Sequence, residues 1–427
     1  MKHKINTLAV LMLTLLHPMF IPAQNPQHSY VKTTTYLDEN EFEGIVSLQY
    51  KDGMGRTVVD IQTSGIGTYT RALTEYDNLE RPYRRWFPSG GSRSDDFFGV
   101  EAEKQMSQAT HADEHPYVET RYDDLGREIS RFNGGTDWHT ANRTIRKSYR
   151  TNGENELWHY RVNALGHIVS QEYYAAGMLS VEEVTDEDNR FLRLYTDYAG
   201  RVVMERRDEG SDTYYLYDPR GRLAYVLTPA FKFEADLLKN AYEYRYDNRD
   251  QCIYKRLPGT EPVTFEYDQN GRLVACQDGN QRQRGEKTYY EYDEYGRTSR
   301  SGLIDASGKR TVLQENFYDN YEFIAKIELS LQPELLQYAM AAGKTAEYKN
   351  VRGMSTGNRT RELETDNWQY AVVYYDDLGR AVQTVKTNHL GGATRTSTNL
   401  RFNGTARDVH IEHDFGGKAE SMREHYH

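Results

Sequence analysis

The amino-acid sequence predicts a mostly β protein, built as an array of antiparallel β-hairpins. Three observations predict this fold class. The chain has 35 tyrosines against 14 phenylalanines and 4 tryptophans, and tyrosine favours half-buried strands while keeping a polar tip for a hydrogen bond. It has 33 glycines and 11 prolines, which indicates many turns. A six-residue turn sequence recurs at spacings such as 21, 25 and 29 residues, about the length of two strands and two turns.

The composition limits the classes of function. The 427 residues suggest two or three domains of ordinary size. The charges sum to −11, which argues against a nucleic-acid partner, because phosphates require a basic face. The two cysteines, Cys252 and Cys276, are too few for a disulfide framework, so sheet packing must supply the stability. Their offsets from Tyr246 and Tyr267 predict opposite sheet faces, so we expect two free thiols.

The first 23 residues have the pattern of a secretory signal peptide. A basic start precedes an apolar run over Leu8–Leu16, and Pro18 and Pro22 then precede Ala23, a small residue suited to cleavage. The apolar run is too short to span a bilayer; an uncleaved membrane anchor is the alternative. We therefore expect a secreted or cell-surface protein without a membrane span, cleaved near Ala23.

Five strong copies of the turn sequence Tyr-Asp-x-x-Gly-Arg supply the candidate site residues, and we expect their role to be structural. Aspartate at the first turn position and glycine three residues later suit a type I turn followed by a left-handed residue and a bulge. The arginine that follows is placed to stack on a neighbouring tyrosine or to pair with a neighbouring aspartate. The copies are Tyr122, Asp123, Gly126 and Arg127; Tyr217, Asp218, Gly221 and Arg222; Tyr267, Asp268, Gly271 and Arg272; Tyr292, Asp293, Gly296 and Arg297; and Tyr375, Asp376, Gly379 and Arg380.

Weaker copies extend the array but depart from the pattern. In one copy Glu80 replaces the turn glycine, and in another Asp250-Gln251 replaces Gly-Arg. Because a single hairpin is marginally stable, neighbouring hairpins must stack to bury its faces. The weaker copies begin at Tyr50, Tyr76, Tyr160, Tyr195, Tyr246 and Tyr318.

Three segments between the turns have other patterns. Phe231–Ala241 and Pro333–Ala342 show helical spacing of apolar residues, so the sequence predicts a short helix in each. The interval from Pro88 to Pro116 is polar and has no clear period. It is predicted to be a long surface loop with about one helical turn.

These repeated turn sequences resemble the YD repeat of RHS (rearrangement-hotspot) proteins, which also builds the shells of insecticidal toxin complexes and the extracellular barrel of teneurins. Residues 24–165 resemble the N-terminal domain of secreted RHS proteins of Gram-negative bacteria, with YKDGMGR, EYDNLERPYRRWFP and HPYVETRYDDLGR. Residues 166–427 resemble the repeat array, with EYRYDNRDQCIYKRLPGTEPVTFEYDQNGRLVACQDGNQRQRG and YYDDLGRAVQT. The resemblance implies that the hairpins form a curved or spiral open β-shell around a hollow.

The resemblance also implies a protein partner. Family members usually run longer and end in a core domain and a variable C-terminal effector, and nothing after Tyr375 resembles that core. We therefore expect the array to be incomplete at its C-terminus. The expected partner is the missing core or effector, or a separate chain at the open sheet edge, and the chain alone should self-associate.

Two histidine pairs have spacings that suggest a metal site, and neither has the necessary context. His111 and His115 are four residues apart, but Pro116 follows at once and a zinc motif of this spacing requires a helix. His410 and His413 lie in a predicted strand, whose alternation places them on opposite faces.

The remaining candidates for chemistry are turn residues. Asp218-Pro219 resembles the Asp-Pro-rich self-cleavage site of the RHS core domain, but it lies within an ordinary turn copy. In the carboxylate pairs that begin at Asp123 and Asp376, the first residue fits the turn and the second faces water. The sequence has no Ser-His-Asp elbow, phosphate loop or dinucleotide fingerprint. We expect no catalytic residue, cofactor or metal.

The sequence thus predicts a non-enzymatic structural part of an exported RHS-type β-shell, which encapsulates or delivers a C-terminal toxin or effector outside this chain. The alternative is a cell-surface adhesion or carbohydrate-binding module that holds glycans through exposed aromatic side chains. The two differ in where the tyrosines lie, since a shell buries them toward a cavity and a glycan binder exposes them.

Overall fold

The computed structural model describes residues 29–36, 44–63, 68–92, 96–208, 210–326, 351–363, 365–388, 391–415 and 418–426. Strands make up 53% and helices 10%. Over the described ranges the strands pair antiparallel in a long sheet that is not closed. The predicted fold class is therefore confirmed. The predicted signal peptide over residues 1–23 and the helix predicted over 333–342 lie outside the described residues.

The chain divides into two compact units. The first comprises residues 1–148 and 184–190, and the second comprises residues 149–183 and 191–427. The domain boundary at residue 165 that the sequence suggests stays a prediction.

The first unit is an antiparallel sheet that follows the chain closely. Strands β1 to β4 pair in sequence order, β4 also borders β5 and β6, and β5 leads through β7 to β8 and β9. The strands are β1 (Ser29–Tyr36), β2 (Gly44–Lys51), β3 (Thr57–Thr63), β4 (Tyr69–Tyr76), β5 (Pro82–Trp86), β6 (Ser89–Ser92), β7 (Tyr117–Tyr122), β8 (Glu128–Phe132) and β9 (Thr144–Thr151).

Alternating side chains of these strands build the core of the first unit. In β3, Val59 and Ile61 are fully buried, and they lie two residues apart on one face. Other buried apolar residues of the first unit belong to the same cluster: Leu48, Tyr50, Val58, Leu73, Trp86 and Tyr117.

The interval from Pro88 to Pro116 is not the long loop that the sequence suggests. It contains β6 and helix α1 (Val100–His111). The helix buries polar rather than apolar side chains, since Glu103 and Ser107 are its buried residues. No apolar stripe marks this helix in the sequence, which is why a pattern based on apolar spacing misses it. A second helix, α2 (Thr136–Thr140), is a single turn.

The second unit is a meander in which every strand from β13 to β29 pairs antiparallel with the next. Strands β10 and β11 form a separate two-stranded sheet. The strands are β10 (Trp158–Val162), β11 (Ile168–Tyr173), β12 (Ser180–Thr185), β13 (Phe191–Thr196), β14 (Val202–Arg206), β15 (Asp212–Tyr217), β16 (Leu223–Leu227), β17 (Ala241–Tyr246), β18 (Cys252–Arg256), β19 (Val263–Tyr267), β20 (Leu273–Gln277), β21 (Glu286–Tyr292), β22 (Thr298–Asp305), β23 (Arg310–Tyr318), β24 (Ser355–Arg361), β25 (Trp368–Tyr375), β26 (Ala381–Thr387), β27 (Ala393–Leu400), β28 (Ala406–Phe415) and β29 (Lys418–His425).

The helix predicted over Phe231–Ala241 is wrong. The segment forms a 3₁₀ turn at Pro229–Lys232 and a separate helical turn, α3 (Leu237–Asn240), and Ala241 already belongs to β17. The Asp236 side chain accepts a hydrogen bond from the backbone N–H of Leu238 and caps the N-terminus of α3. Helix α4 (Gly279–Arg284) and the 3₁₀ turn Glu322–Lys326 were not expected from the sequence.

No helix in the described part of the chain is long and apolar enough to cross a membrane.

Candidate functional site

The turn between β15 and β16 shows how the repeated residues act together. The Asp218 N–H donates to the Arg222 carbonyl (2.9 Å) and the Gly221 N–H donates to the Asp218 carbonyl (2.8 Å). Gly221 has a φ of 80°, the left-handed conformation that glycine adopts without a Cβ clash. The register shifts by one residue between Leu216 and Tyr217, so the turn ends in a β-bulge.

The Asp218 carboxylate holds this turn from inside. Its Oδ1 accepts the backbone N–H groups of Arg220 and Arg222, each at 2.9 Å. Its Oδ2 accepts the Arg222 Nε and Nη2, each at 2.7 Å. Burial raises the pKa of this carboxyl, but the hydrogen bonds from Arg222 outweigh it, so the pKa of Asp218 lies below its ordinary value.

The other four strong copies have the same geometry. In each of them the aspartate Oδ1 accepts two backbone N–H groups of its own turn, and Oδ2 accepts the arginine Nε at 2.6–2.7 Å. Their glycines Gly126, Gly271, Gly296 and Gly379 all have φ between 75° and 82°. The structure thus places the tyrosine, aspartate, glycine and arginine of every strong copy at one hairpin end.

The turn at Asp218 is also joined to the next one. The Tyr246 hydroxyl donates to the carbonyl of Leu223, the residue after Arg222, at 2.9 Å. The Arg222 guanidinium lies 4.9 Å from the centre of the Tyr246 ring, and its Nη1 donates to the Asp247 carbonyl at 2.9 Å. One arginine therefore closes its own turn, stacks on the next tyrosine and binds the next turn.

This arginine–tyrosine stack recurs along both units. In every pair, the tyrosine hydroxyl also donates to the carbonyl of the residue that follows the arginine. The pairs are Arg56–Tyr76 (4.6 Å), Arg81–Tyr122 (4.7 Å), Arg201–Tyr217 (4.8 Å), Arg222–Tyr246 (4.9 Å), Arg272–Tyr292 (4.8 Å) and Arg297–Tyr318 (4.2 Å).

The two substituted turns keep their shape. Glu80 and Asp250 occupy the glycine position with φ of 67° and 65°. Asp250 also contributes a contact that glycine lacks, because its Oδ1 lies 2.8 Å from Arg222 Nη1 in the preceding turn. Gln251 stands in place of the arginine, and its Nε2 donates to the Gly271 carbonyl at 2.9 Å.

The weak copy at Tyr318 is a turn interrupted by an insertion, which the sequence does not reveal. Strand β23 ends at Tyr318, and its partner β24 begins only at Ser355. The Asp319 N–H donates to the Met354 carbonyl at 3.1 Å, the same bond that an ordinary turn makes to its arginine. Gly353 supplies the positive φ, 84°. Residues 320–350 thus separate the two halves of one turn.

Further turns of this type escaped the sequence search because they lack the tyrosine or the arginine. In three of them the aspartate or asparagine side chain accepts two backbone N–H groups of its own turn, and in the fourth the Asn388 Oδ1 accepts the Gly392 N–H. They begin at Asp186, Asp305 and Asn388, and at Asn163 within the weak copy that starts at Tyr160. The shared signal is Asp or Asn followed three residues later by Gly or Asn, which is less specific than the full motif.

The histidine pairs are not brought together as metal ligands. His111 ends α1 and contacts the Pro88 carbonyl at 3.0 Å, whereas His115 stacks on His139 with ring centres 4.6 Å apart. His410 and His413 pair with Ser397 and Thr394 in the sheet. The described residues contain no group of three or more His, Cys, Asp or Glu side chains that could hold a metal ion.

A polar cleft of about 460 Å³ lies beside β23 and β24 in the second unit. Ion pairs hold most of its charged side chains. Glu315 accepts Arg300 on one carboxylate oxygen and Arg359 on the other. Asp319 binds Arg297 and the Gly353 N–H, which lower its pKa to about 2. An acid held ionised in this way is a poor proton donor at neutral pH.

Comparison with known proteins supports the fold. A family model described as a domain of unknown function, DUF6443, matches residues 24–151. No curated protein matches the sequence. Among solved structures, the crystal structure of TcdB2-TccC3-Cdc42 matches 93% of the chain at 13% identity, with a TM-score of 0.51. The crystal structure of TcdB2-TccC3 matches 94% at 13% identity, with a TM-score of 0.50.

The chain spans about 20% of the length of the chains it matches in these structures. Sequence identity this low carries information about the fold alone. The antiparallel hairpin meander of this chain is therefore similar in fold to part of TcdB2-TccC3.

Proposed function

We propose that the chain is a non-enzymatic structural part of an exported RHS-type β-shell, which encloses a toxin or effector polypeptide supplied outside this chain. The observation that carries this proposal is the chain of contacts between successive turns. Six arginines each close their own turn and stack on the tyrosine of the next one, so these hairpins reinforce their neighbours, as the wall of a container requires.

The chemistry of the turns supports a structural role. Of the residue types in the repeated motif, aspartate and arginine are the ones that could take part in catalysis. The Asp218 carboxylate, however, accepts hydrogen bonds from backbone N–H groups of its own turn and from the arginine of that turn. A nucleophile or general base needs a lone pair directed at a substrate. The lone pairs of the turn carboxylates instead accept hydrogen bonds from the backbone and the arginine of the turn.

The likeness in fold to TcdB2-TccC3 supports the same role. The neighbours are toxin-complex shells, and the match extends over 93% of this chain. Cargo enclosure, protein partners and export are our proposals for this chain.

The proposal is tested by co-expressing the full chain with the polypeptide encoded immediately downstream of residue 427. We expect the two to co-elute in size-exclusion chromatography, and the downstream polypeptide to resist a protease that digests it when free. The matched control is the same polypeptide mixed with the chain after separate purification. Separate elution, or digestion at the rate of the free polypeptide, would contradict the proposal.

We further propose that residues 1–23 direct export. Mass spectrometry of protein recovered from the medium or the cell surface should find a mature N-terminus at Gln24. Recovery only from the cytosol, with Met1 retained, would contradict export.

A further inference from the structure

A small hairpin in the second unit stands apart from the long meander. Strands β10 and β11 pair only with each other among the described strands. Strand β16 contacts the turn of this hairpin, since the Tyr225 hydroxyl donates to the Gly166 carbonyl at 2.7 Å. Val162 and Ile168 pack into the apolar cluster around Leu227. This arrangement gives the hairpin one face directed at the meander.

The strand register gathers aromatic and amide side chains on one face of the hairpin. Trp158 is opposite Tyr173, and Tyr160 is opposite Gln171. The Trp158 and Tyr173 rings stack with centres 3.8 Å apart and planes 21° apart. The Gln171 Nε2 donates to the Tyr160 hydroxyl at 3.3 Å. Because residues two apart on a strand share a face, all four side chains lie together.

A cavity of about 310 Å³ is lined by this face and by the segments opposite it. Tyr214 of β15 meets Tyr160 edge to face with ring centres 5.2 Å apart, and Phe231 meets Tyr160 in the same way at 6.4 Å. The volume is at the lower end of the roughly 300–1,000 Å³ of pockets that bind small molecules. An aromatic wall with a few polar groups is the usual lining of such pockets.

Two acids that line the cavity are paired with arginines, and the remaining charged lining residue is the exposed Lys232. Asp212 accepts the Arg206 Nε and Nη2 at 2.5 and 2.8 Å. Glu156 accepts Arg150 and the Tyr195 hydroxyl, and hydrogen bonding to Arg150 lowers its pKa to about 2. The lining acids Asp212 and Glu156 are thus matched by arginines. The remaining polar lining includes the neutral groups of Asn155, Gln171 and Thr228.

We propose that this cavity binds a neutral sugar, of the size of a monosaccharide or the end unit of an oligosaccharide. The apolar C–H face of a pyranose ring can pack on an aromatic ring such as Tyr173, which is 42% exposed. The hydroxyl groups both donate and accept hydrogen bonds, as do the amide of Gln171 and the hydroxyl of Thr228. This proposal is independent of the shell function.

The charge balance distinguishes a sugar from the other ligands that aromatic pockets take. A quaternary ammonium ion is held by aromatic faces together with a surplus of negative charge. An anionic ligand needs a free cation; Arg206 is already bidentate to Asp212, and the other lining cation, Lys232, is exposed to water, which screens its charge. The aromatic wall and the neutral amide and hydroxyl groups match a neutral ligand with an apolar face and a polar edge.

The test is a titration of the full chain with glucose, galactose, mannose, N-acetylglucosamine and their β-linked disaccharides, by saturation-transfer NMR and then calorimetry. We expect at least one of them to bind saturably, with Kd in the millimolar range or tighter. Tyr173→Ala and Gln171→Leu should each weaken that binding about tenfold or more, equal to about 1.4 kcal/mol. Tyr173→Phe keeps the ring and should retain the affinity within about threefold.

The matched control is Tyr198→Ala, which removes a tyrosine of the same unit that is 93% exposed at a turn tip. Its affinity should equal that of the unaltered chain. Circular dichroism tests whether each variant is folded. If Tyr173→Ala does not fold, the affinity of Gln171→Leu, a change at an exposed side chain, decides whether the proposal holds. The proposal is overturned if none of the sugars binds saturably, if Gln171→Leu binds as well as the unaltered chain, or if choline or inorganic phosphate binds and the sugars do not.

Discussion

At the scale of single residues, the turn glycine is the position that the hairpin geometry constrains most. Gly221 has a φ of 80°, and a Cβ built on it would lie 3.0 Å from Arg201 Nη1. Glu80 and Asn189 occupy the same position of other turns at φ of 67° and 63°. The backbone conformation is therefore fixed by the turn, and the residue type decides how much strain it carries.

We expect Gly221→Val and Gly296→Val each to lower the free energy of unfolding by about 1–3 kcal/mol, because a β-branched residue is strained at positive φ. Gly221→Asn should cost less, since asparagine tolerates this conformation. Glu80→Gly is the control and should leave stability unchanged or raise it slightly. Urea unfolding measures all four; wild-type stability in both valine variants would refute the assignment of these turns.

Replacing the arginine of the turn by lysine is predicted to lower the stability of the chain. Arg222 binds Asp218 through two nitrogens, stacks on Tyr246 and donates to the Asp247 carbonyl. Lysine keeps the charge but loses the planar fork, so Arg222→Lys should lower the free energy of unfolding by about 1 kcal/mol. Arg161→Lys, in a pair whose side chains are both at least half exposed, should change it little. Equal urea midpoints for the two variants would contradict this role.

At the scale of elements, helix α1 is fixed to its sheet by a buried ion pair. Arg71 of β4 binds Glu103 of α1 at 2.6 Å, with the two side chains only 1% and 2% exposed. The Ser107 hydroxyl donates to the Phe87 carbonyl at 2.8 Å. Polar contacts thus position the helix, and its sequence has no apolar stripe that would predict a face directed at the core.

Removing one partner of this pair leaves a buried charge without compensation. We expect Glu103→Ala to lower the free energy of unfolding by about 3–5 kcal/mol. Glu101→Ala removes a neighbouring acid of the same helix that is 81% exposed, and it should cost less than about 1 kcal/mol. Chemical denaturation of both variants checks the prediction, which fails if Glu103→Ala is no less stable than Glu101→Ala.

The register of β18, β19 and β20 bears on the cysteines. Tyr254 and Gln277 both pair with Thr264 of β19, so they share one sheet face. The register shifts between Cys252 and Tyr254, which pair with the successive residues Tyr246 and Arg245, so Cys252 lies on the face opposite to Tyr254. Cys276 lies beside Gln277 on that same opposite face, so the prediction that the two cysteines lie on opposite faces is wrong. Strand β19 nevertheless separates β18 from β20, which puts the cysteines about 10 Å apart, too far for a disulfide, and both are free thiols.

Alkylation under denaturing, non-reducing conditions should therefore label two thiols per chain by mass. Cys252→Ser should reduce the label to one, which provides the internal control. An unlabelled wild-type chain that becomes labelled only after reduction would show a disulfide and contradict the separation of the two cysteines by β19.

How much the sequence predicts depends on how local the determinants are. The turns were found because aspartate, glycine and arginine act within five residues, as around Asp218. Helix α1 was missed because it buries Glu103 rather than an apolar stripe. The insertion in the turn at Asp319 has no local signal, because the other half of the turn lies at Met354. The cavity could not be foreseen, since Trp158 and Tyr214 meet across 56 residues of sequence.

At the scale of the whole molecule, the titrating groups predict how stability depends on acidity. The turn aspartates share a pKa below the ordinary 3.8, chiefly through hydrogen bonds from arginine and backbone amides that outweigh any burial; they include Asp77, Asp123, Asp218, Asp268, Asp293 and Asp376. The pKa of His139 lies below the ordinary 6.5 because of burial and of His115 beside it; Glu119 opposes this shift, and Arg84 and Arg121 add to it.

All these shifts have the same consequence for folding. A group whose pKa is lower in the folded chain binds more protons when unfolded, so acid favours unfolding. We expect the urea midpoint to be nearly constant between about pH 7 and 8. It should fall below about pH 6.5 as His139 is protonated in the unfolded chain, and fall more steeply below about pH 4 as the turn aspartates are protonated. His139→Phe should flatten the upper part of this decline and leave the lower part, whereas a midpoint that is constant or rises from pH 8 to pH 3 would contradict the prediction.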